Sequence, residues 1–193
     1  VMAAIDKGAA KVYACARDTS GVADLFKAFG GKVVPIQLDV TKAEQVAAAA
    51  QKCQDVNLLI NNAGANGGVG ALSAKDMSAA RNEMEVNYFG VQSMCRAFAP
   101  ILKKNGGGAI INILSLVSRV NIPMLGSYCA SKAAAWSLTQ AVRAELAAQG
   151  TLVVGVFPGA VDTDMAKGMD LPKLNPMDVA KMALDAAASG TED

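Results

Sequence analysis

Five short apolar runs alternate along the chain with alanine-rich segments whose apolar residues recur at helical spacing. The runs are apolar throughout, which is typical of parallel strands buried on both faces. They predict strands at 11–16, 32–37, 57–60, 109–114 and 152–157. The segments between and after them predict helices at 22–29, 43–52, 76–103, 128–149 and 177–188.

This alternation predicts an α/β fold of three layers, a doubly wound parallel sheet of the Rossmann type. Residues 1–8 have the pattern of a helix tail that ends at Gly8 and leads into the strand at 11–16. Such a helix should itself follow a strand, so we expect the first strand of the fold to be absent from this sequence. That strand is central in the expected order, and its two neighbours would therefore carry unpaired edges.

Composition and charge exclude several classes of function. The 193 residues are 52% hydrophobic, and 18 basic against 17 acidic residues leave a net charge of +1 with no basic stripe for nucleic acid. No apolar run approaches the ~20 residues that span a bilayer, so no membrane segment is predicted. The four cysteines are far apart, which favours reduced thiols in a cytoplasmic protein. The absence of histidine excludes a Ser-His-Asp triad and a His-ligated metal site.

Tyr128 and Lys132 are the first candidates for chemistry, because they begin a long helical pattern four residues apart. Side chains at this spacing lie on one helix face, about 6 Å apart along its axis. A free tyrosine has a pKa of about 10, and a nearby ammonium group lowers it. On its own this spacing is more often ordinary helix surface.

Three predicted strand ends carry polar or small residues, at the sheet edge where open α/β folds bind ligands. Residues 61–64 (Asn-Asn-Ala-Gly) follow the third strand, Ser115 follows the fourth, and residues 158–163 follow the fifth. A serine hydroxyl in that place is able to stabilise negative charge growing on a carbonyl oxygen. The alternatives are a plain Asn-Gly turn at 61–64 and a turn-capping role for Ser115 or Ser118.

The ordered set of motifs resembles the classical short-chain dehydrogenase/reductase family. The resemblance extends over nearly the whole chain and includes Asn-Asn-Ala-Gly (61–64), Asn-x-x-Gly at Asn87, and Asn-x-x-Ser (112–115). Tyr-x-x-x-Lys (128–132) and Pro-Gly-x-Val-x-Thr (158–163) complete it. The family's opening turn, Thr-Gly-x-x-x-Gly-x-Gly, is absent. We therefore expect residues 1–193 to form one NAD(P)-binding domain, incomplete at its N-terminus, and favour part of a complete enzyme over a true fragment.

The resemblance implies a catalytic role for four residues. Tyr128 is the general acid/base, and Lys132 lowers the Tyr128 pKa and holds the nicotinamide ribose. Ser115 polarises the substrate carbonyl. Asn87 supports a proton-relay water beside Lys132, although a helix-interior asparagine bonded to backbone is the alternative.

The resemblance also implies a set of cofactor contacts. Asn61, Ala63 and Gly64 would line the ribose, and Asp39 with Val40 would contact the adenine. The residues that would frame the nicotinamide are Pro158, Gly159, Val161 and Thr163.

Arg17 and Asp18 bear on the choice between the two nicotinamide cofactors. They follow the first predicted strand, where NAD enzymes of this type place an acid for the ribose hydroxyls. Arg17 suits a 2′-phosphate by charge and geometry, whereas Asp18 is one place late and fits a helix cap. NADP is therefore favoured over NAD.

These expectations combine into an oxidoreductase that transfers hydride between NADP(H) and a carbonyl or secondary alcohol. Alternatives are a non-catalytic cofactor-binding homologue, an inactive fragment, and an epimerase or dehydratase using the same tyrosine and lysine. Substrate choice would depend on residues 65–72, 116–125 and 164–176, the last of which has the pattern of an apolar lid. The family resemblance implies a homodimer or homotetramer, assembled through the helices at 76–103 and 128–149.

Overall fold

Five strands and seven α-helices alternate in the computed structural model, which describes residues 1–193. The strands are β1 (Val12–Ala16), β2 (Val33–Gln37), β3 (Leu58–Asn61), β4 (Ala109–Ile113) and β5 (Leu152–Val156). The helices are α1 (Met2–Asp6), α2 (Ala23–Phe29), α3 (Ala43–Lys52), α4 (Ser78–Met84), α5 (Val91–Lys104), α6 (Gly126–Leu146) and α7 (Pro176–Ser189). The predicted α/β fold class with parallel strands is confirmed.

The strands form two parallel sheets. In one, β1 pairs with β2; in the other, β4 lies between β3 and β5. The edges of β1 and β3 that face away from these partners are unpaired. Two side chains at the start of β1 contact Asp55, which precedes β3. The Tyr13 hydroxyl donates to the Asp55 carboxylate at 2.8 Å, and Lys11 forms an ion pair with it.

One buried cluster joins the two sheets. Ile36 in β2 belongs to the same cluster as Leu59 in β3, Ile110 in β4 and Val153 in β5, covered by α3, α5 and α6. A smaller cluster on the opposite face packs Ile111 and Val154 against Ala183 of α7. The helices therefore cover both faces of the sheet β3–β4–β5.

The helix predicted at 76–103 differs in its middle. Residues Glu85–Gly90 form a π-helical segment between α4 and α5. A side chain at Gly90 would lie 2.7 Å from Val40 Cγ2, so the residues after β2 pack directly on this segment. Single π turns of this kind are often found at functional sites, and this one contains Asn87.

No helix in the chain combines the length and the apolarity that crossing a bilayer requires. All four cysteines are free thiols. Cys15 is exposed, whereas Cys53, Cys95 and Cys129 are buried.

Candidate active site

Tyr128 and Lys132 lie in the first two turns of α6, against the ends of β3 and β4. Lys132 is buried, and its ammonium group donates to the carbonyl oxygen of Ile113, the last residue of β4, at 2.9 Å. The Lys132 Nζ atom is 6.0 Å from the centre of the Tyr128 ring. Burial lowers the pKa of Lys132 to about 8, because the charged form loses its hydration.

The pKa of Tyr128 is raised above its ordinary value, mainly by burial. The neighbouring Ser115 hydroxyl lowers this pKa, while Cys129 and the carboxyl group of Glu83 raise it. The family resemblance implied the opposite direction. The difference arises because the Lys132 ammonium is bonded to Ile113 rather than to the phenol, so burial dominates. The phenol is therefore protonated at neutral pH in this structure.

Ser115 begins the turn that follows β4, and Ser118 is its capping partner. The Ser115 hydroxyl oxygen accepts from the backbone N–H of Val117 at 3.4 Å, and Ser118 Oγ accepts from the Ser115 N–H at 3.3 Å. Ser115 Oγ also lies 3.5 Å from the Pro158 carbonyl oxygen, at the end of β5. The capping role considered for the two serines is thus present, and Ser115 additionally faces Tyr128.

Asn87 holds the backbone that follows β3. Its amide accepts from the Ala65 N–H at 2.8 Å and donates to the Ala65 carbonyl oxygen at 2.9 Å. It also donates to Ser131 Oγ at 2.8 Å, and Ser131 donates to the Tyr128 carbonyl oxygen at 2.8 Å. The bonds to backbone that the sequence allowed for Asn87 are therefore present, and the bond to Ser131 connects the π segment to α6.

Asn61 lies beneath the site rather than on its surface. The side chain is buried and donates to Asn112 Oδ1 at 2.8 Å, and Asn112 donates to Thr139 Oγ1 of α6 at 3.0 Å. Its amide therefore joins β3, β4 and α6. This placement differs from the cofactor contact expected for Asn61, because its amide is bonded to Asn112 of the neighbouring strand.

Ala63 and Gly64 are exposed on the segment after β3. A Cβ atom at Gly64 would lie 3.8 Å from Lys132 Nζ and 3.8 Å from Met165 Cε. The end of β3, the lysine and the segment after Thr163 therefore meet at one point. Gly64, where they meet, is one of the residues expected to contact the ribose.

Residues 158–163 leave β5 beside the serine turn. The Pro158 carbonyl oxygen accepts from the Leu116 N–H at 3.0 Å, and Gly159 packs on the Leu116 side chain. Val161 forms a bridge with Leu174, while Thr163 is exposed at the start of a short 3₁₀ turn. A cavity of about 540 Å³ lies farther along this segment, lined by residues between Asp162 and Pro176. Tyr128 does not line this cavity.

The residues expected at the adenosine end lie together at the ends of β1 and β2. Arg17 is exposed and forms no ion pair. The Asp18 carboxylate accepts from the Ser20 N–H at 2.9 Å. Asp18 is not the helix cap that was predicted, because Thr19 and Val22 occupy the N-cap positions of the following 3₁₀ turn and of α2. Hydrogen bonds from Thr41 hold the pKa of Asp39 below its usual range, and the charge of Arg17 lowers it further. Val40 packs on Gly90.

Sequence reasoning missed four buried polar residues: Glu83, Asn112, Ser131 and Thr139. Each occupies a position that apolar periodicity assigns to the core, and each bonds to a residue of the site or to its neighbour. A polar residue in phase with the apolar face of a predicted helix or strand was the available signal.

Comparison with known proteins gives the family. The pattern of the short chain dehydrogenases matches residues 1–173. The 7alpha-hydroxysteroid dehydrogenase of Escherichia coli is 32% identical over 157 residues, which are 79% of this chain and 61% of that protein. A ketoacyl reductase of Nostoc is 34% identical over 82% of this chain and 57% of its own length. The chain thus spans about three-fifths of these relatives' length.

Solved structures agree with this result. A short chain dehydrogenase from Burkholderia cenocepacia in complex with NADP is 46% identical, with a TM-score of 0.88 over 100% of this chain and 77% of that one. A 3-ketoacyl-(acyl-carrier-protein) reductase from Brucella melitensis, complexed with NADH, is 27% identical, with a TM-score of 0.89 over 98% and 86% of the two chains. The chain described here belongs to the short-chain dehydrogenase family.

Proposed function

We propose that this chain carries the catalytic residues of an oxidoreductase that transfers hydride between NADP(H) and a carbonyl or secondary alcohol. One observation supports the proposal most. Tyr128, Lys132 and Ser115 meet where β3, β4 and β5 end, with Ser115 against Tyr128 and Lys132 bonded to Ile113. Carboxyl ends of parallel strands are the usual ligand site of this architecture.

NADP is the cofactor that the residues fit. The Arg17 guanidinium is exposed and free of carboxylate partners, so it is available to a 2′-phosphate, whereas Asp18 is engaged by the Ser20 N–H. Lys132 and Gly64 would hold the ribose at the nicotinamide end, and residues 158–163 would flank the ring. When bound, the nicotinamide supplies or accepts the hydride. Among the solved relatives, one is in complex with NADP and another with NADH.

The proton would move through Tyr128. Because its pKa is raised by burial, the Tyr128 phenol is the acid form that carbonyl reduction needs. The Ser115 hydroxyl would donate to the same substrate oxygen and stabilise the charge that develops there. Asn87 and Ser131 would hold α6 and the 65–70 segment in place, so that the phenol and the hydroxyl remain aligned.

The rim of the site is apolar, which favours a carbonyl on a hydrophobic body. Exposed apolar side chains occur on all three segments that were expected to choose the substrate. They are Leu72, Leu116, Val120, Ile122, Met124, Met165 and Leu171. Steroid and ketoacyl names among the relatives accord with such a substrate class.

Assembly into a homodimer or homotetramer completes the proposal. Ala133, Ala141 and Ala144 of α6 are exposed, and so is Phe89 of the π segment. These alanines do not pack on the sheet, which leaves them available for close helix packing with a second copy. Sedimentation velocity would measure the assembly state.

Reduction of a panel of hydrophobic ketones and aldehydes, followed by NADPH consumption, tests the function. Tyr128→Phe is expected to reduce turnover by about 10²–10⁴-fold, because the positioned acid is removed. NADPH affinity, measured by fluorescence titration, should stay within about twofold of native. Tyr88→Phe is the matched control, since Tyr88 packs against the main core instead of facing the site.

Two results would contradict the proposal in different ways. Turnover that survives Tyr128→Phe would remove Tyr128 as the acid/base. Tight NADPH binding without turnover of any carbonyl or alcohol would instead favour a non-catalytic cofactor-binding homologue.

A further inference from the structure

Glu83 is a fully buried carboxyl group one helical turn before Asn87. Its Oε1 atom accepts from the Gly67 N–H at 2.8 Å. Its Oε2 atom is buried and has no hydrogen-bond partner. Glu83 takes part in none of the ion pairs of the chain. Buried carboxyl groups without a cationic partner are costly and are therefore uncommon outside functional sites.

Glu83 and Asn87 hold the same stretch of backbone at two points. Asn87 forms two bonds with Ala65, and Glu83 binds Gly67 two residues later. A Cβ atom at Gly67 would lie 2.7 Å from Ala79 Cβ, so this backbone lies directly on α4. The segment 65–70 is thus fixed along the helix that carries both residues.

The same segment ends against the start of the catalytic helix. A Cβ atom at Gly70 would lie 2.9 Å from the Pro123 carbonyl oxygen, and one at Gly126 would lie 3.0 Å from Ala71 Cβ. Gly126 is the first residue of α6, two before Tyr128. The segment held by Glu83 therefore ends in contact with Pro123 and with the first residue of α6, two positions before Tyr128.

We infer that Glu83 is a positioning residue of the active site, which fixes residues 65–70 along α4 and against the start of α6. The inference rests on the proposed function, because it treats Tyr128 as the acid/base. It assigns to Glu83 two separable effects, one steric and one electrostatic.

The electrostatic effect depends on the ionisable groups that surround Tyr128. On α6 these are Lys132, whose Nζ is 6.0 Å from the ring centre, and Cys129, which raises the Tyr128 pKa. From α4, Glu83 raises the same pKa. Removing the Glu83 charge should therefore make the phenol easier to ionise.

Titration of tyrosinate absorbance after rapid pH jumps measures this effect without cofactor or substrate. The chain has three tyrosines, so subtracting the Tyr128→Phe curve in each background isolates Tyr128. In Glu83→Gln, Tyr128 should ionise at lower pH than in the native chain. Glu85→Gln is the matched control, because Glu85 is exposed on the same helix, and it should cause no shift.

Hydrogen exchange at the Gly67 amide measures the steric effect. Glu83→Gln keeps an oxygen that accepts from Gly67 and should retain protection. Glu83→Asp keeps the charge but shortens the side chain, so it should lose Gly67 protection with a smaller change in the Tyr128 titration.

An unchanged Tyr128 titration in Glu83→Gln would overturn the electrostatic half. Retained Gly67 protection in Glu83→Asp would overturn the steric half. Both readouts are independent of turnover. A chain that shows both effects but transfers no hydride would contradict the proposed function and leave the role of Glu83 in place.

Discussion

At the ends of β3 and β4 the side chains of Asn61 and Asn112 are buried and hydrogen-bonded to each other, whereas Arg17 and Gln37 at the ends of β1 and β2 are exposed. Asn61, Asn112 and Thr139 form a continuous chain of hydrogen bonds between strands and α6. Arg17, by contrast, has an exposed and unpaired guanidinium group. The first region has its geometry before any ligand arrives, while the second offers free charge to a ligand.

The difference indicates what each region contributes. Proton transfer requires atoms held in fixed positions, which buried and satisfied hydrogen bonds provide. Recognition of a phosphate at the edge of the molecule requires charge and reach, which an exposed arginine provides. Substitutions in the first region should therefore change stability and turnover together, and those in the second should change affinity alone.

Asn112→Ala should break the buried region and have the largest effect on stability. It leaves the Asn61 amide without its oxygen partner and removes the donor to Thr139. We expect a loss of about 3 kcal/mol in the free energy of unfolding, measured in urea. Asn121→Ala, at an exposed asparagine, is the control and should change stability by less than about 0.5 kcal/mol. Equal effects of the two variants would contradict the distinction between the regions.

Lys132→Met should show that part of the buried region is held at a cost in stability. Burial lowers the pKa of Lys132 from 10.5 to about 8, so between these values the unfolded chain binds more protons than the folded chain. The penalty is complete below pH 8 and disappears as the pH rises towards 10.5. We expect Lys132→Met to be more stable than native by about 2 kcal/mol at neutral pH, after loss of the bond to Ile113.

Urea unfolding of both chains from neutral to alkaline pH would measure this effect. The stability difference should shrink steadily as the pH rises. A difference that stays constant with pH would show that the Lys132 ammonium is not desolvated as described.

Arg17→Ala should have the smallest effect and sharpen the contrast, because it removes charge from the exposed region. NADPH affinity should fall about tenfold, equal to about 1.4 kcal/mol, with little change in NADH affinity or in unfolding. Lys42→Ala removes an exposed charge on the same side of the molecule and is the control. If NADH and NADPH affinities fell equally, the assignment of the 2′-phosphate to Arg17 would be wrong.

The sequence predicted the strands and helices to within a few residues. The spacing of the apolar residues and the residue types at the element ends indicate the same boundaries. α3 occupies 43–52 in both descriptions, and β1 begins one residue after its predicted start. Local patterns were sufficient for elements such as α5, which buries a continuous apolar stripe from Val91 to Leu102.

Side-chain direction could not be predicted in the same way. Asn61 belongs to a motif that implies a ligand contact, yet its amide points to Asn112. Glu83 is a common helix residue whose burial depends on Gly67, sixteen positions earlier. The direction of the Tyr128 pKa shift required the Lys132 bond to Ile113 to be known. Each of these properties depends on contacts between distant parts of the chain, which periodicity does not report.

The π segment Glu85–Gly90 changes the angular phase of the helix on either side of it. Each residue of an α-helix advances about 100° around the axis, so a wider turn offsets the later residues from the earlier ones. Asn87 and Val91 both face inward across this offset. Deleting one residue here would allow a regular α-helix. It would also rotate either Asn87 or Val91 away from the residues on which it now packs. The number of residues in this segment is therefore constrained as tightly as their identities.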